Sequence, residues 1–256
     1  MPEISFIMNT NRNFDFYGSK VVESIKNLTN KRSYEILVFS KADPKYPGVT
    51  WFEEKYDTGG SIYGYNLLAS MAKGEFVCIV VDDYILSPNY LDIITYLEDD
   101  YFEDKKFRIT TPGIKVGNSF CPGEFPTKTF NNYANGKFIT INNETHILKF
   151  PTFHRSILQY LDNHIFHPDF IHHAADNYLA WYIMNRGEPT KQFDGVYVDC
   201  FSHMNGCPKF DQHDNDVLWH LMNDNKPKYI EDDYPGLIAK NHKELINIYE
   251  KLSRQE

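Results

Sequence analysis

Two adjacent acidic residues, Asp82 and Asp83, directly follow an apolar run in the sequence Val80-Val81-Asp82-Asp83-Tyr84. Neighbouring carboxylates at the end of a buried strand are costly unless a cation balances their charge. The carboxyl ends of strands in an open α/β sheet are also where ligands bind. A divalent cation such as Mn²⁺ or Mg²⁺ prefers oxygen ligands and usually brings a substrate diphosphate with it. The alternative interpretation is that the pair caps a following helix.

The segments around the acidic pair predict alternating strands and helices. Short apolar runs bounded by polar residues are typical of buried strands, and apolar residues at helical spacing are typical of helices. A strand, a helix and a strand in this order form a βαβ unit, which requires parallel strands with a right-handed crossover. We expect strands at 4–8, 34–39, 49–52 and 76–81, and helices at 17–28, 59–72 and 89–97, with Pro88 at the start of the last helix.

The second half of the chain is less regular. Residues 101–149 are rich in Gly, Pro, Asn and Thr, which predicts a long loop with strands at 107–111 and 137–141. Further along we expect helices at 155–161, 174–185 and 240–252 and a strand at 195–200. Since no repeat or low-complexity linker interrupts the chain, we expect a single domain over 1–256, with one half at 1–100 and the other at 101–256.

Composition excludes several classes of protein. The net charge of -9 argues against nucleic-acid binding, which needs a basic surface. The four cysteines form no C-x-x-C pair, which fits a reducing compartment, and the N-terminus lacks the features of a signal peptide. The apolar runs are too short to span a membrane. We therefore expect a cytoplasmic protein with no transmembrane segment and no nucleic-acid partner. The absence of a P-loop motif argues against phosphoryl transfer of the P-loop kind, and the absence of Gly-x-Ser-x-Gly argues against the usual hydrolases.

Further motifs accompany the acidic pair in the first half of the sequence. In chain order they are Gly59-Gly60-Ser61, Tyr65-Asn66, the segment 72–76, Asp82-Asp83 and the segment 86–88. This order resembles the nucleotide-sugar-binding half of GT-A glycosyltransferases of the family 2 type, over roughly residues 4–97. The resemblance implies an α/β fold of the GT-A, Rossmann-like kind. In it, helices flank a mostly parallel sheet, and the acceptor side forms a smaller subregion.

The resemblance also implies roles for donor-side residues. Asp83 would bind the divalent metal, Mn²⁺ or Mg²⁺, while Asp82 would contact the ribose or the metal shell. Val81 stands where many members carry a further Asp, so the division between the two acids stays open. In the first loop, Thr10 would contact the base or ribose. The resemblance also places Asn11, Arg12 and Asn66 on the donor side. Arg12 would lie near phosphate, and the alternative is an exposed loop arginine with no ligand. The acid expected after the second strand is absent at Ser40.

The resemblance continues in the second half. An acidic dipeptide that opens a helix in the family corresponds here to Ala175-Asp176. By the resemblance, Asp176 would be the general base. A carboxylate that stabilises the helix N-terminus is the alternative for Asp176. His203 follows the strand at 195–200 and lies where many members place a third metal or phosphate ligand. The clustered histidines at 164–173 form no zinc motif and are more typical of hydrogen-bonded loop residues.

The implied reaction is an inverting, metal-dependent transfer of a sugar from a UDP- or GDP-sugar to a hydroxyl of a glycan or another acceptor. Two other functions stay open. A nucleotidyltransferase would use a similar sheet but normally carries a basic, Gly-rich phosphate loop early in the chain. A catalytically inactive nucleotide- or sugar-binding relative would account for the reduced acidic motifs at Val81 and Ala175.

Overall fold

The computed structural model describes residues 1–10, 13–55, 60–104, 109–116, 119–121, 140–141, 144–145, 148–172, 174–185, 190–201 and 211–222. The helix expected at 240–252 and residues Asn11, Arg12 and His203 lie outside these ranges. Among the helices within them, none has both the length and the apolar composition that crossing a bilayer requires.

One large sheet organises the described residues. Its strands are β1 (Ile4–Asn9), β2 (Tyr34–Ser40), β3 (Thr50–Glu53), β4 (Phe76–Val81), β5 (Tyr84–Leu86), β6 (Ile109–Val116), β7 (Ser119–Cys121), β10 (Thr152–His154) and β11 (Thr190–Cys200). They follow the order β3-β2-β1-β4-β10-β6-β11-β5, and β7 pairs with β6. Two short strands, β8 (Thr140–Ile141) and β9 (Glu144–Thr145), pair with each other in a separate sheet.

The first part of the sheet is parallel. β1 lies between β2 and β4 and pairs with both in parallel, and β3 extends the sheet beyond β2 in the same direction. The next strand, β10, is antiparallel to both β4 and β6. The parallel arrangement expected for most of the sheet therefore holds through β4, and the second half is mixed. The carboxyl ends of β1, β2, β3 and β4 consequently share one edge.

Helices cover both faces of the sheet, which confirms the predicted α/β class. They are α1 (Gly18–Lys26), α2 (Ile62–Met71), α3 (Asp92–Asp104), α4 (Ala175–Asn185) and α5 (Asp211–Met222), with a 3-10 helix at Arg155–Tyr160. Alternate residues of a strand point to opposite faces. In β4, Phe76, Cys78 and Val80 pack with α1 and α3, whereas Val77 and Ile79 pack with α2, α4 and α5.

The structure corrects the sequence prediction at several elements. The helix expected at 89–97 begins at Asp92, because residues 88–91 form turns in which Tyr90 N–H bonds to Ser87 C=O and Asp92 N–H bonds to Asn89 C=O. Helix α5 and the short strands β5 and β10 were not predicted from the sequence. Each of these strands is only three residues long, and its partner in the sheet lies far away along the chain.

Candidate functional site

The acidic pair lies in a tight turn at the carboxyl end of β4. The chain passes from β4 through Asp82 and Asp83 directly into β5, so the two carboxylates stand at the shared edge of the parallel strands. Both are buried, with 4% of Asp82 and 6% of Asp83 exposed. Two adjacent acids in so little solvent fit a site that is completed by a cation.

Thr10 holds the first of these carboxylates in place. Its side-chain hydroxyl donates a hydrogen bond of 2.5 Å to Oδ2 of Asp82. The pairing of Asn9 with Val81 across β1 and β4 places the next residue of each strand side by side, and Thr10 N–H also donates to Phe39 C=O. Thr10 is 2% exposed. The structure thus brings together two residues that the sequence assigned to the donor site, and the contact between them fixes the orientation of Asp82.

The N-terminus of α2 lies against the end of β1. Asn9 Nδ2 donates to the carbonyl of Ser61, which immediately precedes α2. A helix N-terminus carries unpaired N–H groups and favours negative charge. The beginning of α2 therefore faces the edge of the sheet that carries Thr10 and the acidic pair.

Asn66 has a structural role in this arrangement. It is fully buried on α2; its Nδ2 donates to Phe166 C=O at 2.8 Å and its Oδ1 accepts from Phe166 N–H at 2.9 Å. Both polar ends of the amide are thereby bonded to a loop backbone. Asn66 consequently fastens the loop that precedes α4 to the first half of the chain.

The same loop touches the N-terminus of α2 at a second place. Ile62 N–H donates to Ile171 C=O at 3.2 Å, and Ser61 Oγ lies 3.0 Å from Nδ1 of His172. Gly60 lies so close that a Cβ there would be 2.0 Å from the Ile171 carbonyl oxygen. Only glycine fits this approach without displacing one of the two backbones.

Asp176 follows this contact by a few residues and is the second residue of α4. Its carboxylate is half-buried, and its Oδ1 accepts from the N–H of Asn177. Ala174, just before the helix, has a φ of +59°, which is uncommon for a residue with a side chain. Through His172, Ser61 and Asn9, direct contacts connect the beginning of α4 to the strand edge that carries the acidic pair.

The end of β11 reaches the acidic pair from the other side. β11 runs antiparallel to β5, with Cys200 opposite Tyr84, and Phe201 N–H donates to Asp83 C=O at 3.1 Å. His203 would come two residues later, but it lies outside the described residues, as do Asn11 and Arg12. In the described part of the chain, no group of three or more His, Cys, Asp or Glu side chains stands together as a metal site.

Two buried acids near this edge were not singled out by the sequence. Glu54, just after β3, is 6% exposed. Its N–H donates to Ser40 C=O, which places Glu54 near the end of β2, where the resemblance predicts an acid and the sequence has Ser40. Asp214 on α5 is fully buried and accepts hydrogen bonds from Ile171 and His172. The sequence pattern could have indicated that Asp214 is buried, because Asp214 precedes Val217, Leu218 and Leu221 at helical spacing and so lies on the apolar face of a helix.

Comparison with known proteins identifies the fold. No family model matches the sequence, and no curated protein matches it. Among solved structures, S. aureus TarS 1-349 aligns with a TM-score of 0.57 and 15% identity, over 76% of this chain and 60% of TarS 1-349. Its complex with UDP-GlcNAc aligns with a TM-score of 0.56 and 13% identity, over 79% and 60%. The mannosyltransferase PcManGT of Pyrobaculum calidifontis, in complex with GDP-Man and Mn²⁺, aligns with a TM-score of 0.55 and 17% identity, over 93% and 69%.

These alignments and the sheet topology define a Rossmann-like fold of the GT-A kind. The expected fold class is thus confirmed. At this level of identity the likeness concerns the fold, and this chain spans 60% of the length of the TarS 1-349 structures.

Proposed function

We propose that this chain is a glycosyltransferase that moves a sugar from a nucleoside diphosphate to an acceptor hydroxyl. The observation that carries the proposal is the buried pair Asp82 and Asp83 at the carboxyl edge of the parallel strands, with Thr10 bonded to Asp82. The fold is shared with a mannosyltransferase bound to GDP-Man and Mn²⁺ and with TarS bound to UDP-GlcNAc. A nucleotide sugar is accordingly the class of donor that we assign to this edge.

The donor side fits a divalent cation. Asp82 and Asp83 supply hard carboxylate oxygens in one turn, which is the chemistry that Mn²⁺ and Mg²⁺ prefer. Such ions are commonly held by one or two carboxylates, with substrate phosphates and water as the remaining ligands. In our proposal Asp83 binds the metal, Asp82 binds the ribose or the metal shell, and His203 contributes a further ligand. When bound, the metal would neutralise the negative charge that develops on the departing diphosphate.

The residues of the chain then orient the reaction. Thr10, with Asn11 and Arg12 after it, contacts the nucleotide, and Thr10 holds Asp82 in the required rotamer. Asp176 accepts the proton of the acceptor hydroxyl as its oxygen bonds to the anomeric carbon. The bond from that carbon to the diphosphate oxygen breaks, and the diphosphate leaves with the electron pair. Attack opposite the leaving group inverts the configuration at the anomeric carbon.

Nucleotide binding provides the first test. Melting temperatures are measured with UDP and GDP, with and without Mn²⁺, for the wild type, Asp83→Asn and Asp99→Asn. Asp99 is an exposed acid on α3 and serves as the matched control. At a nucleotide concentration of 100 Kd, binding stabilises the folded state by about 2.7 kcal/mol, which raises Tm by about 5–10 °C for a chain of this size. We expect this rise in the wild type and in Asp99→Asn only when Mn²⁺ is present, and we expect Asp83→Asn to lose it.

Turnover provides the second test. A panel of nucleotide sugars and hydroxyl acceptors is screened for acceptor-dependent release of nucleoside diphosphate, and the anomeric configuration of the product is determined by NMR. Asp176→Asn should reduce kcat by about 10²-fold or more without unfolding the chain, because the proton acceptor is removed. Release of pyrophosphate would instead indicate a nucleotidyltransferase. Metal-dependent binding without turnover across the panel would indicate an inactive relative.

A further inference from the structure

Asp214 is a fully buried carboxylate on α5, remote in sequence from the donor-side residues of the proposed site. Its Oδ1 accepts the N–H of Ile171 at 2.9 Å and its Oδ2 accepts the N–H of His172 at 2.8 Å. His213 lies beside it, with Nε2 at 4.0 Å from Oδ1 of Asp214 and 3.1 Å from Asp169 C=O. A buried charge persists only when hydrogen bonds or ions compensate it, and here two consecutive peptide N–H groups do so.

The two residues that Asp214 holds are the ones on which the donor and acceptor sides meet. Ile171 C=O accepts from the first N–H of α2, and His172 lies within hydrogen-bonding distance of Ser61. On the donor side, Ser61 C=O is bonded to Asn9, whose chain neighbour Thr10 binds Asp82. On the acceptor side, the chain passes from His172 through Ala174 into α4, where Asp176 is the second residue.

We propose that Asp214 is a positioning residue for sugar transfer. Its carboxylate fixes the dipeptide Ile171–His172 and thereby sets the distance between the acidic pair and Asp176, although it touches neither substrate. The inference rests on the proposed function. Its physical basis is that a carboxylate is bonded to two converging N–H donors, one at each oxygen, and that the dipeptide so held is in contact with both sides of the site.

The pair of hydrogen bonds requires a carboxylate in place of an amide. An asparagine at 214 keeps one acceptor oxygen but turns an NH₂ group toward the other N–H, so one bond is lost and two donors face each other. The dipeptide then shifts, and Asp176 shifts with it. A displacement of about 1 Å at a reacting group can reduce turnover by about 10²-fold. Thr10, Asp82 and Asp83 belong to the end of β1 and the β4–β5 turn, so donor binding should change little.

The experiment compares Asp214→Asn with two matched variants in the full chain. Asp216→Asn changes an exposed acid on the same helix, and Leu97→Ala destabilises the core on the other face of the sheet. For Asp214→Asn we expect kcat to fall by about 10- to 100-fold while nucleotide affinity changes by no more than about threefold. We expect Asp216→Asn to keep wild-type kcat. Leu97→Ala should lower Tm but keep kcat per folded molecule, which separates positioning from loss of stability.

Hydrogen exchange supplies a readout that does not depend on turnover. In Asp214→Asn the amides of Ile171 and His172 and the first turn of α2 should exchange faster than in the wild type, while Asp216→Asn leaves them unchanged. If the wild type transfers no sugar, the proposed function fails on its own tests, and exchange still shows whether Asp214 links the loop to α2. The positioning role is refuted if the wild type is active and the Asp214→Asn variant folds and keeps the wild-type kcat.

A second variant decides the matter if Asp214→Asn does not fold. Ser61→Ala removes the hydroxyl next to His172 and leaves Asp214 intact. A fall in kcat of about tenfold or more with unchanged nucleotide affinity would support the proposal that contacts from Asp214 on α5 act through the dipeptide Ile171–His172 on α2. Wild-type kcat in a folded Ser61→Ala protein would overturn it.

Discussion

Replacing Gly60 by alanine tests how closely the two sides of the site are fitted together. The new Cβ would lie 2.0 Å from the carbonyl oxygen of Ile171 and 2.5 Å from its Cγ2. Carbon and oxygen atoms normally approach no closer than about 3.3 Å, so the two backbones must separate by about 1 Å. The hydrogen bond from Ile62 N–H to Ile171 C=O, already 3.2 Å long, would then be weakened or lost.

The expected cost follows from these contacts. Overpacking a tight contact costs about 1–3 kcal/mol, and the lost hydrogen bond adds about 1 kcal/mol. We therefore expect Gly60→Ala to reduce the free energy of unfolding by about 2–4 kcal/mol. Because the displaced loop leads to Asp176, we also expect kcat to fall by up to about 10²-fold.

Urea unfolding and steady-state turnover measure the two effects separately. Gly48→Ala is the control, because Gly48 has a φ of +81° but, among the described residues beyond its two chain neighbours, none has an atom within 4 Å of the place where a Cβ would be added. Its backbone strain should cost about 1–2 kcal/mol with kcat unchanged. Wild-type stability and turnover in Gly60→Ala would refute the close approach that we describe, and an equal loss of kcat in Gly48→Ala would show that turnover reports only stability.

Three further outcomes are expected. Asn66→Leu removes both hydrogen bonds to the adjoining loop backbone and should lower the free energy of unfolding by about 2–4 kcal/mol in urea titration; an unchanged midpoint would contradict its structural role. Thr10→Val removes the hydroxyl bonded to Asp82 and should weaken nucleotide binding by about tenfold in calorimetry, whereas equal affinity would exclude a part for Thr10 in orienting the acid. Burial raises the pKa of the Cys78 thiol to about 12, so at a pH of about 8 its thiolate fraction is about 10³-fold below that of an ordinary cysteine. Iodoacetamide should therefore modify Cys78 in the unfolded chain but not in the native one, and rapid native labelling, located by peptide mass spectrometry, would contradict the burial.

The sequence predicted the elements whose signals are local. The apolar run that ends at Val81 coincides with β4, and the Asp82-Asp83 pair stands at its carboxyl end as expected. Strands β1 and β2 were found for the same reason, since a buried parallel strand is a short continuous apolar run. The position of Thr10 at the edge of the sheet also has a local origin, because it is among the first polar residues after a strand, where ligands bind in such folds.

What the sequence did not predict depends on contacts between distant segments. The amide of Asn66 is bonded to a loop 100 residues later, and no local pattern indicates that pairing. β10 has three residues and exists as a strand because β4 and β6 lie on either side of it. The helical spacing of Asp214 with Val217 and Leu218 indicates the face of the helix on which it lies, but the two N–H groups that it accepts from belong to residues more than 40 positions earlier. Such partners are recognised only when the packed structure is known.

The hydrogen bonds between Asn66 and Phe166 have a consequence for biosynthesis. When a ribosome has released only the first 104 residues, β4 lacks its neighbour β10, and the buried amide of Asn66 has no loop to bond. An unpaired amide and an open sheet edge both favour a loosely ordered nascent chain. The layer that contains α2 is therefore completed only after residue 166 has emerged. A fragment cut at 104 should remain protease-sensitive, although it contains strands β1 to β4.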